Sequence, residues 1–115
     1  MALTLEPKAA LDLWRRVTVA NVREAGPDLS QRQMAVMTTI YLTDLPHTVR
    51  SLATALGVTK PVITRALTSL EKQGFVRRKA DEEDRRNILI QRTVKGSVFL
   101  SEFSERVAHL AGAQA

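Results

Sequence analysis

Ten of the seventeen Lys and Arg side chains fall within residues 59–95: Lys60, Arg65, Lys72, Arg77, Arg78, Lys79, Arg85, Arg86, Arg92 and Lys95. Five acids share that stretch, Glu71 and the run Asp81, Glu82, Glu83, Asp84, so the segment carries +5, the net charge of the whole 115-residue chain. Elsewhere seven basic side chains, Lys8, Arg15, Arg16, Arg23, Arg32, Arg50 and Arg106, cancel against seven acids. A cationic surface of this kind suits a polyanion, and duplex DNA is the first candidate. Phosphates require positive or hydrogen-bonding groups along one face, and base edges require a few side chains held on a rigid element. Charge alone fits an ordinary solvated face as well. The elements that carry it must therefore decide.

Pro7 suits the first turn of a helix, and Leu11, Leu13, Trp14, Val17 and Val22 give that helix a broad apolar side up to Gly26-Pro27. Ser30 with Gln33 forms a capping-box pattern, followed by Met34, Met37, Ile40 and Tyr41 at helical spacing until Leu45-Pro46. Thr48 can cap a short helix that buries Leu52, Ala55 and Leu56 and stops at Gly57. Thr59 can cap the next, in which Ile63, Ala66, Leu67 and Leu70 recur before Gly74. Two helices around so tight a turn fit a helix-turn-helix. Beyond it, Phe75–Lys79 and Ile88–Arg92 have strand composition, separated by the polar run from Ala80 to Asn87. Thr93 can cap a last helix with a wide stripe of Val94, Val98, Phe99, Leu100, Phe103, Val107 and Leu110.

With Ile63, Leu67 and Leu70 buried, the other face of the second helix of the pair carries Pro61, Thr64, Arg65, Thr68 and Lys72, flanked by Lys60. Arg65 is the side chain best suited to bidentate contact with guanine, and Thr64 can hydrogen-bond or touch a thymine methyl. Thr59, Lys60, Ser69 and Lys72 are candidates for phosphate. Arg85 and Arg86 near the hairpin tip suit a narrow minor groove, where negative potential is concentrated. The neighbouring acids organise the hairpin if they turn back onto Arg77, Arg78 and Lys79, and oppose DNA if they point outward.

The order and spacing of Leu52-Ala-x-Ala-Leu-Gly57, Thr59-Lys60-x-x-Ile63-Thr64-Arg65, Leu70-Glu-Lys-Gln-Gly74-Phe-Val76 and Asp84-Arg-Arg86 followed by Thr93-x-Lys-Gly96 resemble the MarR family of bacterial winged helix-turn-helix regulators. The resemblance spans roughly residues 30–100. It implies a mainly α fold with a small β-hairpin: a three-helix core plus wing, flanked by N- and C-terminal helices. It also implies a homodimeric DNA-binding protein, usually a repressor, with a recognition helix in the major groove and a wing in the minor groove. In the family pattern Asp-x-Arg an aspartate anchors the groove-entering arginine, which maps onto Asp84 and Arg86 and leaves Arg85 for phosphate or solvent. Family members usually carry a further long helix after the one that begins here at Thr93. The sequence ends at Ala115 without it, so the expected dimer surface falls on the first and last helices, through Leu11, Trp14, Val22, Phe99, Phe103 and Val107. Relatives often bind small aromatic anions in a cleft, here near Trp14, Met37 and Tyr41, but such residues are more often core, and no effector is expected on this basis.

The length suits one domain over residues 1–115, with an N-terminal helix over about 7–25, a DNA-binding core and wing over 30–92 and a C-terminal helix over 93–112. At 44% hydrophobic and 25% charged, the chain has a globular composition. No apolar run approaches the roughly twenty residues of a membrane span, and no secretory pattern opens it, so a cytoplasmic location is expected. Zero cysteines exclude disulfides, thiolate metal sites and a cysteine nucleophile. His47 and His109 lie far apart with no third ligand, and Asp81–Asp84 lacks the glycine and ligand spacing of a calcium loop. No acid, base and nucleophile stand together, so neither an enzyme nor a cofactor is expected. The competing reading is a winged-helix interaction module whose basic face docks an acidic partner protein.

Overall fold

The computed structural model describes residues 4–24 and 26–112. It contains α1 (Pro7–Arg23), α2 (Gln31–Leu42), β1 (His47–Thr48), α3 (Val49–Leu56), α4 (Lys60–Lys72), β2 (Val76–Ala80), β3 (Ile88–Arg92) and α5 (Val94–Gly112). The chain forms two compact units, one from the residues up to Asp28 with those from Ser101 onward, the other from Leu29 to Leu100. The expected mainly α fold with a winged helix-turn-helix is present. No helix among the described residues is long and apolar enough to cross a membrane.

In the first unit, α1 opens with Pro7 in its first turn, where a missing N–H costs nothing. Val17 is its buried residue. The Arg16 guanidinium pairs with Asp12 at 3.1 Å and donates to the Leu110 carbonyl at 2.7 Å, while Arg106 donates to Asn21 Oδ1 at 3.2 Å. These bonds fasten α1 to the C-terminal half of α5. Arginine suits this work because its planar fork can reach a carboxylate and a free helix-end carbonyl together.

In the second unit α2, α3 and α4 close over Val36, Met37, Ile40, Leu52, Ala53, Ile63, Ala66, Leu67 and Leu70, with Phe75, Val76 and Ile90 from the sheet side. Each large side chain fully buried here contributes about 1.5–3 kcal/mol. The expected capping box at Ser30 is complete: Gln33 N–H donates to Ser30 Oγ at 3.1 Å, and Ser30 N–H donates back to Gln33 Oε1 at 2.9 Å. Thr48 does the same with Ser51, which the sequence reading had not paired with it. Gly57 and Gly74 take φ of +67° and +83°, which lets α3 and α4 stop and the chain reverse.

Three local expectations need correction. Thr59 stands before α4 but its side chain makes no capping hydrogen bond. Pro61, inside the first turn, has no N–H to offer. On α3 the buried alanine is Ala53, and Ala55 is exposed. At 100° per residue Val49, Leu52, Ala53 and Leu56 share one side, and Ala55 falls about 110° from its centre. His47, expected in a loop because Pro46 precedes it, lies in a short strand, 5% exposed and paired with Ile90. The sheet is therefore three-stranded, in the order β1-β3-β2, antiparallel throughout.

The start of α5 is locked to this unit by a hydrogen-bonded junction. Thr93 Oγ1 accepts from Gly96 N–H at 3.0 Å, the expected cap, and donates to the Gly74 carbonyl at 2.6 Å. The Tyr41 hydroxyl lies 2.7 Å from the Phe75 carbonyl, to which it donates, and accepts from Thr93 N–H at 2.9 Å. Arg92 donates to the Ile40 and Thr43 carbonyls at 2.9 Å each, covering the free carbonyls at the end of α2.

Candidate nucleic-acid interface

Helix α4 buries Ile63, Ala66, Leu67 and Leu70 and exposes Lys60, Pro61, Thr64, Arg65, Thr68 and Lys72. The separation follows from helical periodicity, because the apolar set recurs every three or four residues and leaves the other arc to polar side chains. Thr59 is also exposed, while Ser69 is half-buried and accepts from the Gln73 amide at 3.3 Å. Arg65 shares a polar surface depression with Ser30, Arg32 and Gln33 at the start of α2. Arg32 comes from outside the basic segment, and its position beside Arg65 depends on the packing of α2 against α4.

The wing is joined to α4 by a bridge that the sequence reading did not foresee. Glu71 Oε2 accepts from the Arg78 backbone N–H at 2.9 Å, and Glu71 Oε1 accepts from Arg78 Nε at 2.9 Å. A second guanidinium nitrogen stands 2.8 Å from Oε1. Arg78 also donates to Thr68 Oγ1 at 3.2 Å, and that hydroxyl donates to the Thr64 carbonyl at 2.9 Å. The Arg78 backbone and side-chain hydrogen bonds hold the Glu71 carboxyl below its ordinary range. A depressed native pKa stabilises the fold above the carboxyl's unfolded pKa, and this is lost as pH falls through the native one. Glu71→Gln is therefore expected to lower stability by about 1 kcal/mol at neutral pH, a value reduced by the partial exposure of the pair. The deficit should shrink as pH falls below the ordinary carboxylate range, and urea unfolding of the two proteins from neutral to acid pH checks it. A deficit independent of pH would remove the ionic role.

At the wing tip, Asp84 clamps Arg86. Its Oδ1 accepts from Arg86 Nε at 3.0 Å and from Arg86 N–H at 3.1 Å, and its Oδ2 accepts from a terminal guanidinium nitrogen at 3.2 Å. The Arg86 side chain is nonetheless 91% exposed. These bonds lower the Asp84 pKa, and the charge of Arg50 adds to the effect. The tip acids divide: none pairs with Arg77, Arg78 or Lys79, Asp81 and Asp84 turn onto the tip itself, and Glu82 and Glu83 point outward. Asp81 accepts from Glu83 N–H at 3.0 Å, Asp84 holds Arg86, and Arg78 is paired with Glu71. Glu82, Glu83 and Arg85 are exposed.

The basic segment is accordingly not one undivided cationic face. Arg78 is spent on Glu71, Arg92 on α2 carbonyls, and Lys95 lies over the Phe75 ring. Arg77 and Lys79, alternating with Arg78 along β2, are exposed. Two cations from elsewhere in the chain, Arg32 and Arg50, join the set.

Of the residues expected at a dimer surface, Leu11, Trp14 and Val22 are 68%, 56% and 81% exposed. Phe103 and Val107 are half-buried, and Phe99 is stacked on Phe75 with ring centroids 4.6 Å apart. Met37 is fully enclosed in the core, and the Tyr41 hydroxyl is committed to backbone groups. Among the described residues no three His, Cys, Asp or Glu side chains gather as metal ligands.

The MarR family model matches residues 29–88, more than half of the chain. Among solved structures, the transcriptional regulator BldR from Sulfolobus solfataricus is 28% identical with a TM-score of 0.65, covering 93% of this chain and 76% of its own. Transcriptional regulator Tm0710 from Thermotoga maritima is 24% identical with a TM-score of 0.72, covering 93% and 75%. Reduced AbfR bound to DNA is 21% identical with a TM-score of 0.64, covering 95% and 75%. The two structures under 25% identity match in fold. The family match decides the identity: this chain belongs to the MarR family and is a DNA-binding transcriptional regulator.

Proposed function

We propose that the protein acts as a homodimeric repressor that occludes promoter DNA, with α4 of each subunit in the major groove and the Arg86-tipped wing in the minor groove. The observation that carries this reading is the Glu71–Arg78–Thr68 bridge, which makes recognition helix and wing one rigid piece while Arg65 and Arg86 stay exposed. Rigidity matters because bases are discriminated only by donors held at fixed positions. Arg65, Thr64 and Pro61 face base edges; Thr59, Lys60 and Lys72 meet phosphates. Thr68 serves through the bridge, since its hydroxyl already donates to Thr64 and accepts from Arg78. Asp84 fixes the Arg86 guanidinium for the narrow groove, and Arg85 meets phosphate. The exposed Leu11, Trp14 and Val22 support association through α1, because a lone chain leaves them in water.

Selection of bound duplexes from a random pool, with the solution mass measured alongside, tests the reading. A palindromic consensus with a dimeric mass is expected, since a two-fold protein reads two-fold sites. Binding without sequence preference, lost at physiological salt, would instead mark a module for an acidic protein partner. On the selected site, Arg65→Ala is expected to cost about 1–3 kcal/mol of discrimination against random DNA. Equal losses on both duplexes would remove Arg65 from base reading.

A further inference from the structure

Arg50 lies outside the basic segment, yet its charge adds to the lowering of the Asp84 pKa at the wing tip. Its position follows from the sheet. β1 pairs with β3 so that Thr48 stands opposite Leu89, and α3 begins at the next residue. Two steps beyond Thr48 is Arg50, and two steps back from Leu89 is Asn87 in the tip. The first turn of α3 therefore rises beside the wing. The Thr48–Ser51 capping box fixes where that turn starts, so Arg50 is presented from a rigid element.

Arg50 is exposed and, among the described residues, makes no ion pair or side-chain hydrogen bond. Asp84 makes no hydrogen bond or ion pair with it, and its carboxylate oxygens are bonded to Arg86. The tip thus carries Arg86 in a clamp, exposed Arg85 beside it and, at its flank, a further guanidinium with unused donors. A minor groove about 6 Å wide is bordered on both sides by phosphates. A side chain beside the element that enters it meets the bordering strand.

We infer that Arg50 is a further DNA-contacting residue, gripping a backbone phosphate of the strand that borders the groove entered by the wing. This rests on the duplex-DNA reading above. Phosphate contact carries no base information and acts through counterion release, so its signature is a shallower dependence of affinity on salt. The rival role for Arg50 is to steady the Asp84–Arg86 pair, acting only through Arg86.

The experiment measures binding of wild type, Arg50→Ala, Arg50→Lys, Arg86→Ala and the Arg50→Ala/Arg86→Ala double variant to the selected duplex and to a random duplex, over a salt series. Thermal unfolding confirms that each variant is folded. Arg50→Ala is expected to lose about threefold to tenfold in affinity on both duplexes equally, with the log–log salt slope reduced by about 1.8, about 0.9 for the Arg50 of each subunit. Arg50→Lys is expected to restore the slope. The loss should persist in the Arg86→Ala background, because an independent phosphate contact does not require Arg86. An unchanged slope, or a loss that vanishes once Arg86 is gone, overturns the inference while leaving the DNA reading intact. Failure of the wild type to bind any duplex at low salt overturns both.

Discussion

Replacing Gly96 with alanine is expected to destabilise the fold by about 3 kcal/mol or more, measured as a lower urea midpoint. A Cβ at Gly96 would collide with the Tyr41 hydroxyl and the Phe75 carbonyl, and would lie 2.8 Å from Tyr41 Cζ. One of these atoms is backbone, and another closes the hydrogen-bonded junction of α2, the end of α4 and the start of α5. If Tyr41 swings aside, the Phe75 carbonyl and the Thr93 N–H lose their partner, at about 1–3 kcal/mol for each buried group left unsatisfied. Alanine gains about 1 kcal/mol in helix propensity, which does not offset this. Tyr41→Phe removes the clashing oxygen, so in the Gly96→Ala background it should cost less than in wild type, and such coupling identifies the contact. Wild-type stability in Gly96→Ala would show that the junction yields freely.

Raising salt from 50 to 200 mM is expected to weaken binding to the selected duplex by about 10³-fold or more. The expectation is set by which cations are available. Arg78 and Arg92 are bound internally. Lys60, Arg65, Lys72, Arg77, Lys79, Arg85 and Arg86 remain exposed, joined by Arg32 and Arg50. If two subunits together place six to ten of these on phosphates, the quoted range follows. Fluorescence anisotropy of a labelled duplex across that range measures the slope. Binding that changes less than tenfold would mean that these cations do not lie along a polyanion, and the proposed docking would fail with it.

Most features whose cause lies within a few residues were legible in the sequence; the exceptions are the Thr48–Ser51 box and the missing cap at Thr59. The Ser30–Gln33 cap, the stops at Gly57 and Gly74, the cap at Thr93 and the exposed arc of α4 all follow from side chains three or four positions apart, where helix geometry fixes who meets whom. The motifs at the α3–α4 turn and the wing sufficed for the family, since their order reflects the same local constraints. Asp84 and Arg86, two residues apart in a tight turn, belong to this class too.

Tertiary structure alone decided which charges are free. Glu71 and Arg78 carry no pairing signal across the turn at Gly74; they meet because β2 folds back on α4. Arg50 gains its place from the β1–β3 register, with β1 only two residues long and too short to show a period. The phase that buries Ala53 and exposes Ala55 depends on what packs against α3, and two alanines differ in nothing else. A count of basic residues therefore located the surface without saying which of them could reach DNA. That depended on partners distant in the chain, and a charge is committed or free only once folding has brought its partner within hydrogen-bond distance.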